Sequence, residues 1–187
     1  MPATDLSPLS SPSGGAFGRS PADPSVVRSR ARAPRGFNPP GRSFHSVRFG
    51  GTIPNVRRSR GAKGLGLAFE QRVHDVLSAI YNEDYWPHPA MLYQDGTGLR
   101  RAIPDGVLKS GKGIILIEVK YTHCELAWWQ LNRLYLPLLT HVYKVPITCV
   151  EICRSYDPEV QFPVPHVLVT SLHKVPSGVT GVIQWKI

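Results

Sequence analysis

Asp105 and Glu118 lie on either side of the turn-forming run Ser110-Gly111-Lys112-Gly113. Glycine at the first central position suits a type II′ hairpin turn over Gly111-Lys112. Ser110 then faces Gly113, opposed residue numbers sum to 223, and Asp105 faces Glu118. Directly opposed residues of an antiparallel pair hold their Cβ atoms about 4.5–5.5 Å apart. Two carboxylates at that spacing repel when alone and suit chelation of one hard divalent cation such as Mg²⁺. Alternation puts Lys120 on the face of Glu118 and sends Ile115, Ile117 and Val119 to the opposite, core face. Two carboxylates and an ammonium group on a rigid sheet can hold a metal, position a water and neutralise a phosphate. These charges interrupt a strongly apolar strand, Ile114-Ile-Leu-Ile-Glu-Val-Lys120. Burying them unpaired is costly, which favours a working site over an ordinary solvated hairpin.

The elements that must carry this patch follow from apolar spacing. Phe69, Val73, Val76, Leu77 and Ile80 predict a helix over about residues 65–82. Glu70 sits at the edge of its apolar stripe. Trp86-Pro-His-Pro89 breaks that helix, and Ala90–Tyr93 predicts a short strand ended by Asp95-Gly-Thr-Gly98. Arg101–Lys109 and Ile114–Tyr121 predict the two hairpin strands. From Cys124 to Thr140 the spacing of Leu126, Trp129, Leu131, Leu134 and Leu138 predicts a second helix, with Pro137 disturbing its last turn. Ile147–Cys153, His166–Thr170 and Val182–Ile187 predict further strands. The expected order is α-β-β-β-α-β-β, a mixed α/β class. Trp128-Trp129 could stack on unpaired bases, although packing of an amphipathic helix predicts that at least one is buried. His123 follows the Glu118 strand, where it could meet a phosphate. Arg100 and Arg101 precede the Asp105 strand and are candidates to face a scissile nucleic-acid backbone.

Pro104-Asp105, a gap, then Glu118-Val119-Lys120 resembles the signature of the PD-(D/E)XK nuclease superfamily. Glu70, in Gly66-Leu-Ala-Phe-Glu70, stands where that superfamily often carries a helix glutamate. Gln130 and Tyr135 resemble the glutamine and tyrosine of its RecB-like and Holliday-junction-resolvase-like branches, with one residue more than their Q-x3-Y spacing. The resemblance covers about residues 64–153. It implies a restriction-endonuclease-like core: a mixed central β-sheet flanked by helices in the order α-β-β-β-α-β. It also implies hydrolysis of DNA phosphodiester bonds with Mg²⁺ or Mn²⁺ held by Asp105, Glu118, the Val119 carbonyl and Glu70. Lys120 would orient or help deprotonate the attacking water, and Gln130 would position substrate or Lys120. Junction-cutting relatives act as dimers, so a homodimer is one expected state.

The 187 residues carry 22 Lys+Arg and 13 Asp+Glu, a formal charge of +9. Residues 1–63 hold 11 basic and 2 acidic side chains, so the whole excess sits there and residues 64–187 are neutral. That first segment also holds 9 Pro, 8 Gly and 10 Ser. Such a composition predicts a long irregular basic arm, disordered alone, ahead of a nuclease-like domain over 64–187. A uniformly basic DNA-coating domain is excluded. Arg57, Arg58, Arg60 and Lys63 are the arm's candidate phosphate contacts nearest the domain. No apolar run reaches the roughly 18 residues a membrane span needs. Nine prolines and the lack of a clear amphipathic helix disfavour a mitochondrial targeting role. Cys124, Cys149 and Cys153 are too few for a disulfide scaffold and point to a reducing compartment; the expected localisation is cytoplasmic, in a host cell or virion if the protein is viral. The compact order fits a phage or mobile-element nuclease. The rival reading is an assembly protein, such as a viral head or tail component, whose arm docks onto partner proteins or DNA.

Overall fold

The computed structural model describes residues 46–52, 61–96, 98–160, 162 and 166–187. Phe69, Val73 and Leu77 recur at four-residue spacing and are buried on one face of helix α1, Ala62–Tyr81. A 3₁₀ turn, Asn82–Asp84, leads into strand β2, Tyr85–Pro87. Strands β3, Pro89–Asp95, and β4, Gly98–Ala102, pair antiparallel. Strands β5, Gly106–Ser110, and β6, Gly113–Thr122, form the next antiparallel pair. The following helix runs as α2, Glu125–Trp129, a π-helical segment, Gln130–Tyr135, and α3, Leu136–Val142. Strands β7, Ile147–Ser155, β8, His166–Val169, and β9, Thr180–Gln184, complete the chain.

Six strands form a mixed sheet in the order β2-β5-β6-β7-β9-β8. Its β2, β5 and β6 are antiparallel, and β6, β7, β9 and β8 are parallel. Both faces are covered. Helix α1 packs Phe69, Val73 and Leu77 against Ile115, Ile117 and Val119. The other face, with Ile114 and Leu116, meets Leu131, Tyr135, Leu138 and Leu139 of the second helix. A strand buried on both sides reads as a continuous apolar run, which is why β6 lacks polar alternation. The face expected to be the polar side of the hairpin is therefore a second core, and Glu118 and Lys120 lie at its margin.

Several expectations shift. Ser46–Thr52 forms a strand, β1, inside the segment expected to be arm, and α1 begins at Ala62. β1 pairs with β3 to give a three-stranded sheet, β1-β3-β4. Val47 and Phe49 show the two-residue period of this strand and pack into the second core. Averaging composition over 63 residues hid that period. The expected strand Arg101–Lys109 is two strands in different sheets, divided at Ile103-Pro104-Asp105. Proline has no N–H for a ladder, so the chain leaves one sheet there and joins the other. The turn after Ser110 is not type II′, because neither Gly111 nor Lys112 has positive φ; Gly113 takes it instead, at 132°. A Cβ on Gly113 would lie 2.2 Å from the Pro146 carbonyl oxygen, so the hairpin closes only with glycine there. No helix among the described residues is long and apolar enough to cross a membrane.

Candidate active site

The hairpin register places the first two site residues. Ser110 pairs with Gly113 and Gly106 with Ile117, so opposed numbers sum to 223 as expected. Asp105 is the residue just before the ladder begins, level with Glu118. Its backbone bends away, and its carbonyl accepts the His88 N–H at 2.9 Å. Its Oδ2 instead accepts the Val119 N–H at 2.6 Å. The side chain thus replaces the missing strand as partner of β6. A strand residue directs its N–H and C=O to the same neighbour. The Val119 carbonyl therefore also points to the side that β5 has left.

Glu118 is 1 % exposed. Its Oε1 accepts a short hydrogen bond from the Lys120 ammonium, and its buried Oε2 has no hydrogen-bond partner. Burial, then the charge of Asp105, push the Glu118 carboxyl well above the usual carboxylate range, against the opposing pull of Lys120. Burial likewise raises Asp105, opposed by Lys120 and by the Val119 hydrogen bond, with Glu70 adding to the rise. Burial disfavours the Lys120 charge, but Glu118 and Asp105 outweigh it and hold the ammonium protonated. Lys120 offers one positive charge against the carboxylates of Asp105, Glu118 and Glu70, so the group is short of cation. That is the electrostatic condition for recruiting one.

Glu70 reaches this group from α1, carried there by the buried Phe69 beside it. Its Oε1 lies 3.7 Å from His74 Nε2 and 3.5 Å from His88 Nε2. Sequence reasoning passed over both histidines. The i,i+4 spacing of Glu70 and His74 was a readable signal. His88, set between two prolines, has φ 46°, a left-handed conformation that few residues other than glycine adopt. His74 Nδ1 is 2.5 Å from the Tyr85 hydroxyl. Burial, then His74, lower the His88 pKa against the raising effect of Glu70.

Gln130 and Tyr135 are brought together by the π segment that spans them. At α-helical pitch, residues four apart stack on one face; the wider π turn absorbs one more residue. Gln130 Nε2 donates to the Tyr135 hydroxyl at 3.4 Å, and that hydroxyl donates to the Ile103 carbonyl at 3.1 Å. The extra residue is therefore taken up locally. Pro137, just past this segment, has no N–H for a regular α ladder and a ring that crowds it. Gln130 Oε1 is buried without a hydrogen-bond partner. Burial, then the charges of Glu118 and Asp105, raise the Tyr135 pKa.

Other candidates stand apart. Arg100 Nε is 3.5 Å from Asp95 Oδ2, across the β3–β4 hairpin, while Arg101 is exposed. Lys63 is exposed in the first turn of α1. Arg57, Arg58 and Arg60 lie outside the described residues. His123 is fully buried, with Nδ1 2.9 Å from Glu151 Oε2, so it does not reach a phosphate. Trp128 is buried and Trp129 half-buried, with the Arg133 guanidinium 5.7 and 5.8 Å from their rings. Cys149 and Cys153 are buried free thiols, each pushed up to about 12 by burial.

No protein-family model matches this chain, and no curated protein or solved structure matches it.

Proposed function

We propose that the chain is a metal-dependent DNA nuclease on a restriction-endonuclease-like core, cutting in a structure-guided or nonspecific way. The observation that carries this reading is the unpartnered Oε2 of buried Glu118, set beside Asp105 where β5 leaves β6. A buried carboxylate oxygen with no donor is costly, and an oxygen-binding cation relieves it. Asp105, Glu118, the Val119 carbonyl and Glu70 are all oxygen donors, the set that suits Mg²⁺ or Mn²⁺. A cation held there lowers the pKa of a bound water and offsets phosphate charge.

Lys120, fixed against Glu118, orients the attacking water and offsets charge that develops on the phosphoryl oxygens. Water adds to phosphorus as the P–O ester bond breaks. A phosphomonoester and an alcohol result, and the water's proton passes to solvent or to the leaving oxygen. Gln130, anchored through Tyr135, positions substrate or Lys120. DNA as substrate is supported by the sequence resemblance and by the +9 carried in residues 1–63. A neutral, carboxylate-bearing core needs that long-range attraction toward a polyanion.

The test uses linear, single-stranded and four-way-junction DNA in Mg²⁺ or Mn²⁺. At least one should be cut, and EDTA should stop the reaction. Asp105→Ala and Lys120→Ala should each slow cleavage by about 10²-fold or more. Failure of the unmodified chain to cut any of these substrates sinks the nuclease reading. Cleavage undiminished by Asp105→Ala sinks the assigned site.

A further inference from the structure

Glu70, His74 and His88 bring one carboxylate oxygen and two imidazole nitrogens within 4.8 Å of one another. We propose that these three residues form a separate cation site for a borderline transition metal of the Zn²⁺ class, beside the oxygen-only pair of Asp105 and Glu118. The site shares Glu70 with the oxygen set proposed for Mg²⁺, but its two histidines are its own, and it stands whether or not the chain cuts DNA.

The spacing fits. Zn²⁺ bonds of about 2.0–2.1 Å in a tetrahedron put adjacent donor atoms about 3.3 Å apart. The observed Glu70–His88 and Glu70–His74 separations are 3.5 and 3.7 Å. The two rings meet edge to face with centroids 4.4 Å apart. Small side-chain movements close this set onto one ion. His74 Nε2 is buried and has no hydrogen-bond partner. A neutral imidazole whose Nδ1–H donates to the Tyr85 oxygen would leave that Nε2 with a lone pair facing Glu70. An outer partner on the second ring nitrogen is the usual companion of a metal-binding histidine.

The surroundings hold the donors in place. A Cβ on Gly106 would come within 2.6 Å of the Tyr85 hydroxyl, so glycine at that position leaves room for the hydroxyl that supports His74. His88 is held at its positive φ by flanking prolines and by its backbone bond to the Asp105 carbonyl. A non-glycine residue in that region stores backbone strain, and such strain clusters at functional positions. Two nitrogen donors select against Mg²⁺ and Ca²⁺, which take oxygen, and favour Zn²⁺, Co²⁺ or Ni²⁺. Three protein donors leave a fourth position for water or a ligand oxygen.

The experiment is calorimetric titration of the EDTA-treated, dialysed full chain with Zn²⁺, with Co²⁺ visible absorption as a second readout. One Zn²⁺ should bind per chain, millimolar Mg²⁺ should not displace it, and Co²⁺ should give visible bands of a low-coordinate nitrogen-containing site. His88→Asn should weaken Zn²⁺ binding by at least about 100-fold, whereas Asp105→Ala should change it less than about threefold. Asparagine tolerates the left-handed backbone at position 88, so this variant keeps its turn; His74→Gln is the second variant. Zn²⁺ binding unaltered in both histidine variants overturns the site. So does an equal loss on Asp105→Ala, which would put the ion on the carboxylate pair, or no stoichiometric binding at all. DNA cleavage does not enter these readouts, so a failed nuclease assay and a failed zinc titration are separate results.

Discussion

Glu118 carries an energetic conflict that its neighbours only partly relieve. Its carboxyl is enclosed, one oxygen is bonded to Lys120 and the other to nothing. Its pKa is pushed up to about 8 by burial and by Asp105, from an ordinary 4.5. A carboxyl raised on folding contributes stability that is present below the unfolded value and lost as pH rises through the folded value. Metal-free protein should therefore lose thermal stability as pH climbs from about 4.5 toward about 8. Thermal unfolding across that range measures it. Glu118→Gln should flatten the slope, and saturating Mg²⁺ should flatten it too, because the cation stabilises the ionised carboxylates. A slope unchanged by Glu118→Gln would remove Glu118 as its source. That the residue would be charged, faced by Asp105 and joined to Lys120 follows from the two-residue period and the turn. Its depth does not, since that depends on a helix further along the chain reaching back over the strand.

Among the elements, the helix interrupted at Gln130–Tyr135 has the most to do with positioning. Its Tyr135 hydroxyl bonds the Ile103 carbonyl, which lies in the linker between the two sheets, two residues before Asp105. The helix thus pins the linker that aims the carboxylate. Tyr135→Phe leaves the Ile103 carbonyl and the Gln130 amide without this partner and should cost about 1–3 kcal/mol. It should also slow cleavage by displacing Asp105, without removing any metal donor. Chemical denaturation and a rate measurement check both effects. Unchanged stability together with an unchanged rate would show that the linker is held elsewhere. The apolar spacing made the helix legible in the sequence, but not the π turn. That turn accommodates one surplus residue between positions that both face the site, a requirement visible only once β6 and the linker are in place.

At the scale of the molecule, the basic segment and the folded domain overlap. Residues 1–45 hold 6 of the 11 basic side chains of residues 1–63 and both acidic ones. Residues 46–52 form β1 and pair along β3. Removing residues 1–45 should reduce the log–log salt slope of duplex DNA affinity by about 0.9 for each phosphate that those residues neutralise. Removing residues 1–63 should also expose the β3 edge, strip Val47 and Phe49 from the second core and lower the unfolding temperature. Anisotropy titrations at several salt concentrations, with thermal unfolding of both truncations, separate these effects. An unchanged slope on removing 1–45 would mean that this segment serves a protein partner, as the assembly reading expects, or no binding role at all.

The sequence by itself determined the local features: the 223 register, the Asp105–Glu118 confrontation, the shared face of Glu118 and Lys120, and the span of α1 to within a few residues. Each depends on the pleat, the helical period or a tight turn, all set by residues close together in the chain. Only the tertiary structure decided which faces are buried, that Arg101–Lys109 divides between two sheets, that β1 belongs to the domain, and that Glu70, His74 and His88 converge. Those outcomes depend on packing between segments far apart in the chain. Periodicity shows that a side chain has a face, but the partner covering that face is chosen by the packing of the whole molecule.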